Sequence, residues 1–255
     1  MKKKRLIGVI TIKNNIAVQS FSYKKYLPIG KPEILAKNLD RWGADEILLN
    51  VIDANSYNKE PNYAVLEKIL NLKLSTPIIY GGGILDVKNA LKVIKFGADR
   101  ILIETILYSD LYKVRKISET LGAQSLVASI PLISHNKNIY QFNYLEKQMI
   151  KINNNFIKAI KENLVSEILL TDIKNEGYEN SFNCSLLNLF PVKNFPIICF
   201  GGISTPKQII KIIKNKNVNA IAIGNSLNFK ENAVQFIKKE VFKYSFRKPF
   251  YFKEN

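Results

Sequence analysis

The sequence predicts an α/β fold, a (β/α)8 TIM barrel occupying residues 1–255 as one domain and built from two similar halves. Three observations predict it: eight short apolar runs, helical periodicity in the gaps between them, and a repeat of the first half in the second at an offset of about 120 residues. The length of 255 residues matches the roughly 250 that eight βα units occupy.

The apolar runs fall at 5–12 (RLIGVITI), 46–51 (EILLNV), 77–81 (PIIYG), 100–104 (RILIE), 125–130 (SLVASI), 167–172 (EILLTD), 196–200 (PIICF) and 219–224 (NAIAIG). Each is short and apolar on both faces, the pattern of a parallel strand covered on both sides. Between them, 32–42 opens with Pro32 in a first helical turn, 86–96 ends at Gly97, and 205–215 repeats isoleucines at helical spacing. Strand alternating with helix means right-handed βαβ units. The repeat then favours a closed barrel over an open sheet. ADEILLN at 44–50 returns as VSEILLTD at 165–172, PIIYGGGI at 77–84 as PIICFGGI at 196–203, and ADRILIE at 98–104 as VNAIAIGN at 218–225. Two copies of four βα units close naturally at eight strands.

Composition excludes several classes of function. No run of 18 apolar residues is present, and the basic start MKKKR leads into a run broken by Lys13, Asn14 and Asn15, so neither a signal peptide nor a membrane span is expected. Cys184 and Cys199 fall in different elements and make no metal-ligand spacing with the only histidine, His135. A reduced, cytoplasmic setting without metal or cofactor is expected. The net charge of +17 comes from lysines spread over helix faces (Lys88, Lys92, Lys95; Lys207, Lys211, Lys214), a solvated surface rather than a nucleic-acid or membrane interface. His135 lies in a polar loop after the fifth strand and reads as a surface residue.

In such a barrel the loops at the carboxyl ends of the strands carry function, and the opposite face carries stability. The third strand runs into Gly81, Gly82 and Gly83 and the seventh into Gly201 and Gly202, with Gly177, Gly224, Asn225 and Ser226 on neighbouring loops. Glycine lets backbone N–H groups approach an anion, so two phosphate cradles, suited to a ligand phosphorylated at both ends, are one reading. Tight βα turns are the other. At the opposite end Arg5, Glu46, Arg100 and Glu167 each open a strand. Pointing inward, they would form a ring of alternating charge, either a structural ion-pair seal or a hinged gate.

Together these residues resemble the cyclase subunit of imidazole glycerol phosphate synthase, from KRLIGV through GGGI, FGADR, SEILLTDI and GGI to GNSLNF. The resemblance implies a barrel that receives ammonia through its floor from a glutaminase partner, as a heterodimer, and binds a bisphosphorylated substrate across its mouth. It places Arg5, Glu46, Arg100 and Glu167 at the ammonia gate, with Arg100 replacing a lysine, and Asp99 at the glutaminase contact. It places phosphate contacts at Gly82, Gly83 and Thr105 and at Gly177, Gly201, Gly202, Gly224 and Asn225. The family's two catalytic aspartates fall on Thr11 and Pro131, which cannot serve as general acid and base near neutrality. Val51 replaces a further aspartate, Glu104 an asparagine of the first phosphate site, and Glu176 and Tyr178 alter the second. The segment NNIAVQSFSYKKYLPIGKPE is similar to barrels of bacterial surface-polysaccharide pathways. These supply ammonia to a separate sugar amidotransferase. The expected function is therefore ammonia conduction and partner control. A working cyclase using Asp53, Asp172 or Glu104 is the enzymatic alternative, and a non-catalytic scaffold is a third.

Overall fold

In the computed structural model of the chain, which describes residues 3–54, 60–228 and 230–249, eight parallel strands close on themselves. They are β1 (Arg5–Lys13), β2 (Glu46–Val51), β3 (Ile78–Gly81), β4 (Arg100–Ile103), β5 (Leu126–His135), β6 (Glu167–Asp172), β7 (Ile197–Phe200) and β8 (Val218–Ile223). Each pairs with the next, and β8 pairs with β1. The expected limits at residues 1 and 255, and Phe229 of GNSLNF, lie outside the described residues.

The helices between strands are α1 (Pro32–Arg41), α2 (Tyr63–Leu70), α3 (Val87–Lys95), α4 (Thr105–Ser109), α5 (Leu111–Leu121), α6 (Asn154–Lys161), α7 (Ser185–Leu189), α8 (Pro206–Ile212), α9 (Asn225–Asn228) and α10 (Ala233–Val241). Side chains start several of them: Asn62 accepts from Val65 N, Asp86 from Asn89 N and Thr205 from Gln208 N. The helix expected over 205–215 stops at Ile212, because the chain tightens into a turn in which Val218 N donates to Asn215 O on entry to β8.

The pleat divides each strand's side chains between two apolar clusters. Ile7, Leu48, Leu102 and Leu169 belong to the cluster inside the barrel. Leu6, Ile10, Leu49 and Ile101 belong to the cluster between strands and helices. The sequence repeat is also a repeat of backbone conformation. Gly82 and Gly83 have φ of 130° and 71°, and their counterparts Gly201 and Gly202 have 98° and 78°. A Cβ on Gly82 would meet Val51 O at 2.5 Å, and one on Gly201 would meet Asp172 O at 2.5 Å. Val51 and Asp172 end β2 and β6, so both glycine turns fold against the same neighbour in each half.

Two segments expected as loops are β-hairpins. β1 and β5 run past 12 and 130, turn through Asn14–Asn15 and Asn136–Lys137, and pair antiparallel with Ile16–Phe21 and Asn138–Asn143. All four turn residues have positive φ, the geometry of a two-residue hairpin turn that asparagine tolerates. Lys25–Gly30 and Gln148–Ile150 complete the hairpins. They leave equivalent strands of the two halves and fold over the mouth. His135 stands exposed beside the second turn.

Candidate functional site

The floor of the barrel is a closed ring of charge. Arg5 Nη1 donates to both carboxylate oxygens of Glu46, at 3.1 and 3.0 Å, and its Nη2 donates to Glu167. Arg100 Nη1 reaches Glu167 at 2.7 Å and Glu46 at 3.4 Å, while its Nη2 donates to Ser166 Oγ at 3.0 Å. Each arginine thus holds both glutamates, with the four side chains only 9–14% exposed. Burial raises the Glu46 carboxyl above its ordinary range, against the pull of Arg5 and Arg100. On Arg5, burial pulls the pKa down, but the two glutamates outweigh it and raise it. The glutamates are repeat mates on β2 and β6, whereas the arginines come from β1 and β4, so the ring breaks the two-fold relation of the halves.

Asp99 precedes Arg100 on the same face. Its carboxylate accepts from Ile78 N at 2.8 Å and it is exposed. Asp45 does the same for Leu6 N but is buried against Lys238, with Nζ to Oδ1 at 2.8 Å. The Asp99 side chain is fixed by the sheet and still faces solvent.

Above the ring, Ile7, Leu48, Ile79, Leu102, Val127 and Leu169 meet across the lumen and leave no volume that admits a water molecule. Above that apolar layer the mouth divides into three cavities. Gly82, Gly83, Glu104 and Thr105 line a small one of about 40 Å³ at the ends of β3 and β4. Gly177, Gly201, Gly202, Gly224, Asn225 and Ser226 line a larger one of about 200 Å³ at the ends of β7 and β8. Ser226 Oγ is buried there without a hydrogen-bond partner among the described residues. The central chamber, about 210 Å³, is bounded by Asn50, Glu104, Ser129, Pro131 and Thr171 and by Tyr23 and Tyr144 from the hairpins. The eight glycine, Asn225 and Thr105 positions expected as phosphate contacts therefore separate into two sets, one on each side of this chamber.

The hairpins are fastened over the chamber. The Asn225 side chain accepts from Ser20 N at 3.2 Å and donates to Ser20 O at 2.9 Å. Glu176 accepts from Ser20 Oγ at 2.8 Å and Tyr23 N at 3.2 Å. Tyr23 packs edge-on against Tyr144, with ring centroids 5.7 Å apart, and its hydroxyl accepts from Asn50 Nδ2 at 3.2 Å. Two carboxyls lie beneath. Desolvation pushes Glu104 up to about 7 despite the hydrogen bond from Ser129, and Glu176 up to about 7 despite its bonds from Ser20 and Tyr23.

A family model described as histidine biosynthesis protein matches residues 5–233, which include all eight strands and the residues of both glycine cradles. The chain belongs to the histidine biosynthesis protein family. Relatives match along nearly their whole length. A protein of Pseudomonas aeruginosa, provisionally named imidazole glycerol phosphate synthase subunit hisF2, is 28% identical over 233 residues, covering 90% of this chain and 92% of its own. A protein of Vibrio vulnificus with the same provisional name is 26% identical, covering 94% and 89%. The imidazole glycerol phosphate synthase subunit HisF of Methanocaldococcus jannaschii is 24% identical, covering 94% and 96%. Within the histidine biosynthesis family the chain is a divergent HisF-like barrel.

Strand register places the two positions at which the family resemblance implied acids. Thr11 pairs with Asn50 and Pro131 with Thr171, so they occupy equivalent sites on β1 and β5. Neither carries a titratable side chain. Of the three displaced acids considered for a working cyclase, Asp172 points away from the lumen and accepts from Asn175 Nδ2 and Asn183 N, both at 2.8 Å. Asp53 accepts from Asn14 N at 2.8 Å, outside the chamber lining. Glu104 alone of the three lines the chamber. Sequence reasoning missed Tyr23, Tyr144, Ser129 and Thr171. The signal for the tyrosines was the strand-like alternation in IAVQSF and NIYQFN, which makes hairpins and brings distant aromatics together.

Proposed function

We propose that the chain is the barrel subunit of a glutamine-dependent amidotransferase. It docks a glutaminase on its floor face as a heterodimer and conducts ammonia through the lumen to the mouth. The observation that carries this reading is the closed ring of Arg5, Glu46, Arg100 and Glu167 beneath a narrow apolar lumen, with Asp99 exposed beside it. A seal needed only for stability would be served as well by apolar side chains, which often replace buried ion pairs at no cost. A charged ring that side-chain rotation opens fits a gate. The relatives' names, as subunits of a synthase, support a partner. The acceptor we assign to a surface-polysaccharide sugar modified by a separate amidotransferase, on the resemblance of the 14–33 segment alone.

A phosphorylated ligand fits the β7–β8 cradle, where the backbone turns at Gly177, Gly201, Gly202, Gly224 and Asn225 and Ser226 Oγ, without a hydrogen-bond partner among the described residues, face one cavity. Ligand occupancy there would reach the hairpin through Asn225 and so report the state of the mouth. At the smaller cradle of Gly82, Gly83 and Thr105, the Glu104 carboxyl opposes a second anion. The retained alternative is an active imidazole glycerol phosphate synthase cyclase, which Glu104 favours by lining the chamber.

The test is turnover of the bisphosphorylated ribosyl-aminoimidazole substrate by the full chain with ammonium salt supplied directly, which bypasses any glutaminase. No turnover above the uncatalysed rate is expected. Ring closure at a rate abolished in Glu104→Gln would replace the conduit with the cyclase.

A further inference from the structure

The central chamber has a chemistry that phosphate binding does not use. Glu104 turns its carboxyl into it from the end of β4 and accepts from Ser129 Oγ at 2.6 Å. Leu102 and Leu169 form its base and also belong to the apolar layer, so it is the first open space above the lumen. Tyr23, Tyr26 and Tyr144 wall it, and Asn50 and Thr171 add side-chain oxygens.

Among the described residues no lysine or arginine lines the chamber, and none lies within ion-pair distance of Glu104. Lys13 is stacked on Tyr26, its Nζ 3.8 Å from the ring centroid. Glu176 faces Tyr23 from the loop after β6, and Tyr108 on α4 lies close enough for Glu104 to disfavour its ionisation. A chain of net charge +17 thus gathers carboxyls and phenols in the described lining of the chamber, with Lys13 lying against one of its rings. This environment repels phosphate. A carboxylate among electron-rich rings is what recognises a small ammonium group.

We propose that this chamber is a binding site for an ammonium group, inorganic ammonium or the protonated amine of a small ligand, held by the Glu104 carboxylate and the surrounding tyrosines. Its volume of about 210 Å³ takes ammonium with a few waters, or a small amine. It lies below the roughly 300 Å³ at which sites for larger ligands begin. Ammonia arriving neutral takes the proton of protonated Glu104, and an ammonium–carboxylate pair forms with no further reactant. The site is read from the chamber itself; only the source of inorganic ammonium rests on the conduction reading.

The test follows the Glu104 carboxyl by NMR in the full chain labelled with 13C at glutamate side chains, its signal assigned by loss in Glu104→Gln. The titration midpoint is measured in sodium, ammonium and ethylammonium chloride at equal ionic strength. A bound cation favours the ionised form. The midpoint should fall by about one pH unit at a cation concentration ten times its dissociation constant for that form. Tyr144→Leu should reduce the fall while the fold, monitored by the rest of the spectrum, persists. A fall with ammonium alone assigns the site to the inorganic ion, with ethylammonium alone to an organic amine, and with both to the shared group. Equal midpoints in all three salts overturn the proposal and leave ammonia conduction to be decided by glutaminase coupling.

Discussion

Glu176 is 2% exposed, lies under the β1 hairpin, and has its carboxyl raised by desolvation from 4.5 to about 7. Between those values the folded chain keeps a proton that the unfolded chain has released. Its contribution to stability is therefore fully present below about pH 4.5 and lost as pH rises through about 7. Glu176→Gln keeps an acceptor for Ser20 Oγ and Tyr23 N without the charge. The variant should be more stable than the parent at pH 8 by up to about 3 kcal/mol, and near parity at pH 4.5. Urea denaturation at the two pH values checks this, and an equal difference at both would remove the buried-acid reading. Little of this was legible beforehand. The residue was visible only as a change in the flank of a phosphate site, because burial of a glutamate in a loop after a strand depends on a hairpin whose Ser20 lies 156 residues earlier in the chain.

At the scale of elements, seven of the eight strands were legible to within a residue at each end, and the fifth at its start but not at its end, which runs on to His135, since each is apolar on both faces and only a parallel strand between lumen and helices needs that. The mouth was not, because a hairpin outside the barrel is written in weak alternation and in turn residues that equally suit a loop. What fastens the β1 hairpin is specific contact at two points. A Cβ on Gly177, whose φ is 87°, would lie 1.9 Å from Ser20 O. Gly177→Ala should therefore push the hairpin off the β6 loop. Amide hydrogen exchange in residues 16–30 should then accelerate at least tenfold while the β1–β8 strands keep their protection. Unchanged exchange in the hairpin would mean that it is held elsewhere. The floor ring was legible from four strand-initial charges. Its connectivity, each arginine to both glutamates, needed the register of four strands.

Across the whole molecule the barrel is layered along its axis: a ring of alternating charge at the floor, an apolar layer that excludes water, and an acidic, tyrosine-walled mouth. Much of the excess positive charge sits outside this axis on the helices, and further lysines, Lys13, Lys24, Lys25, Lys137 and Lys147, stand on the hairpins over the mouth. A small neutral molecule crosses an apolar layer at far lower cost than an ion, and because this layer leaves no water-sized space its passage requires the side chains of the layer to part. Asp99 is exposed on the floor face and fixed by Ile78 N, and in the proposed function it serves partner docking. Asp99→Lys should weaken glutaminase binding at least tenfold, measured by calorimetry, without altering the melting transition of the barrel by more than a few degrees. Unchanged affinity would move the docking surface.

The central claim is that nitrogen from glutamine travels through the floor ring. The direct measurement is retention of 15N from amide-labelled glutamine in the amidated product, made by the complete complex in a bath of unlabelled ammonium. The parent complex should retain the label. In Glu167→Ala, which opens the ring while leaving Arg5 and Arg100 in place, glutamine hydrolysis should continue and the label should dilute toward the bath. Glu167→Gln, which keeps the shape of the side chain, should dilute it less. Retention unchanged in both variants, with the complex folded and active, would contradict passage through the ring.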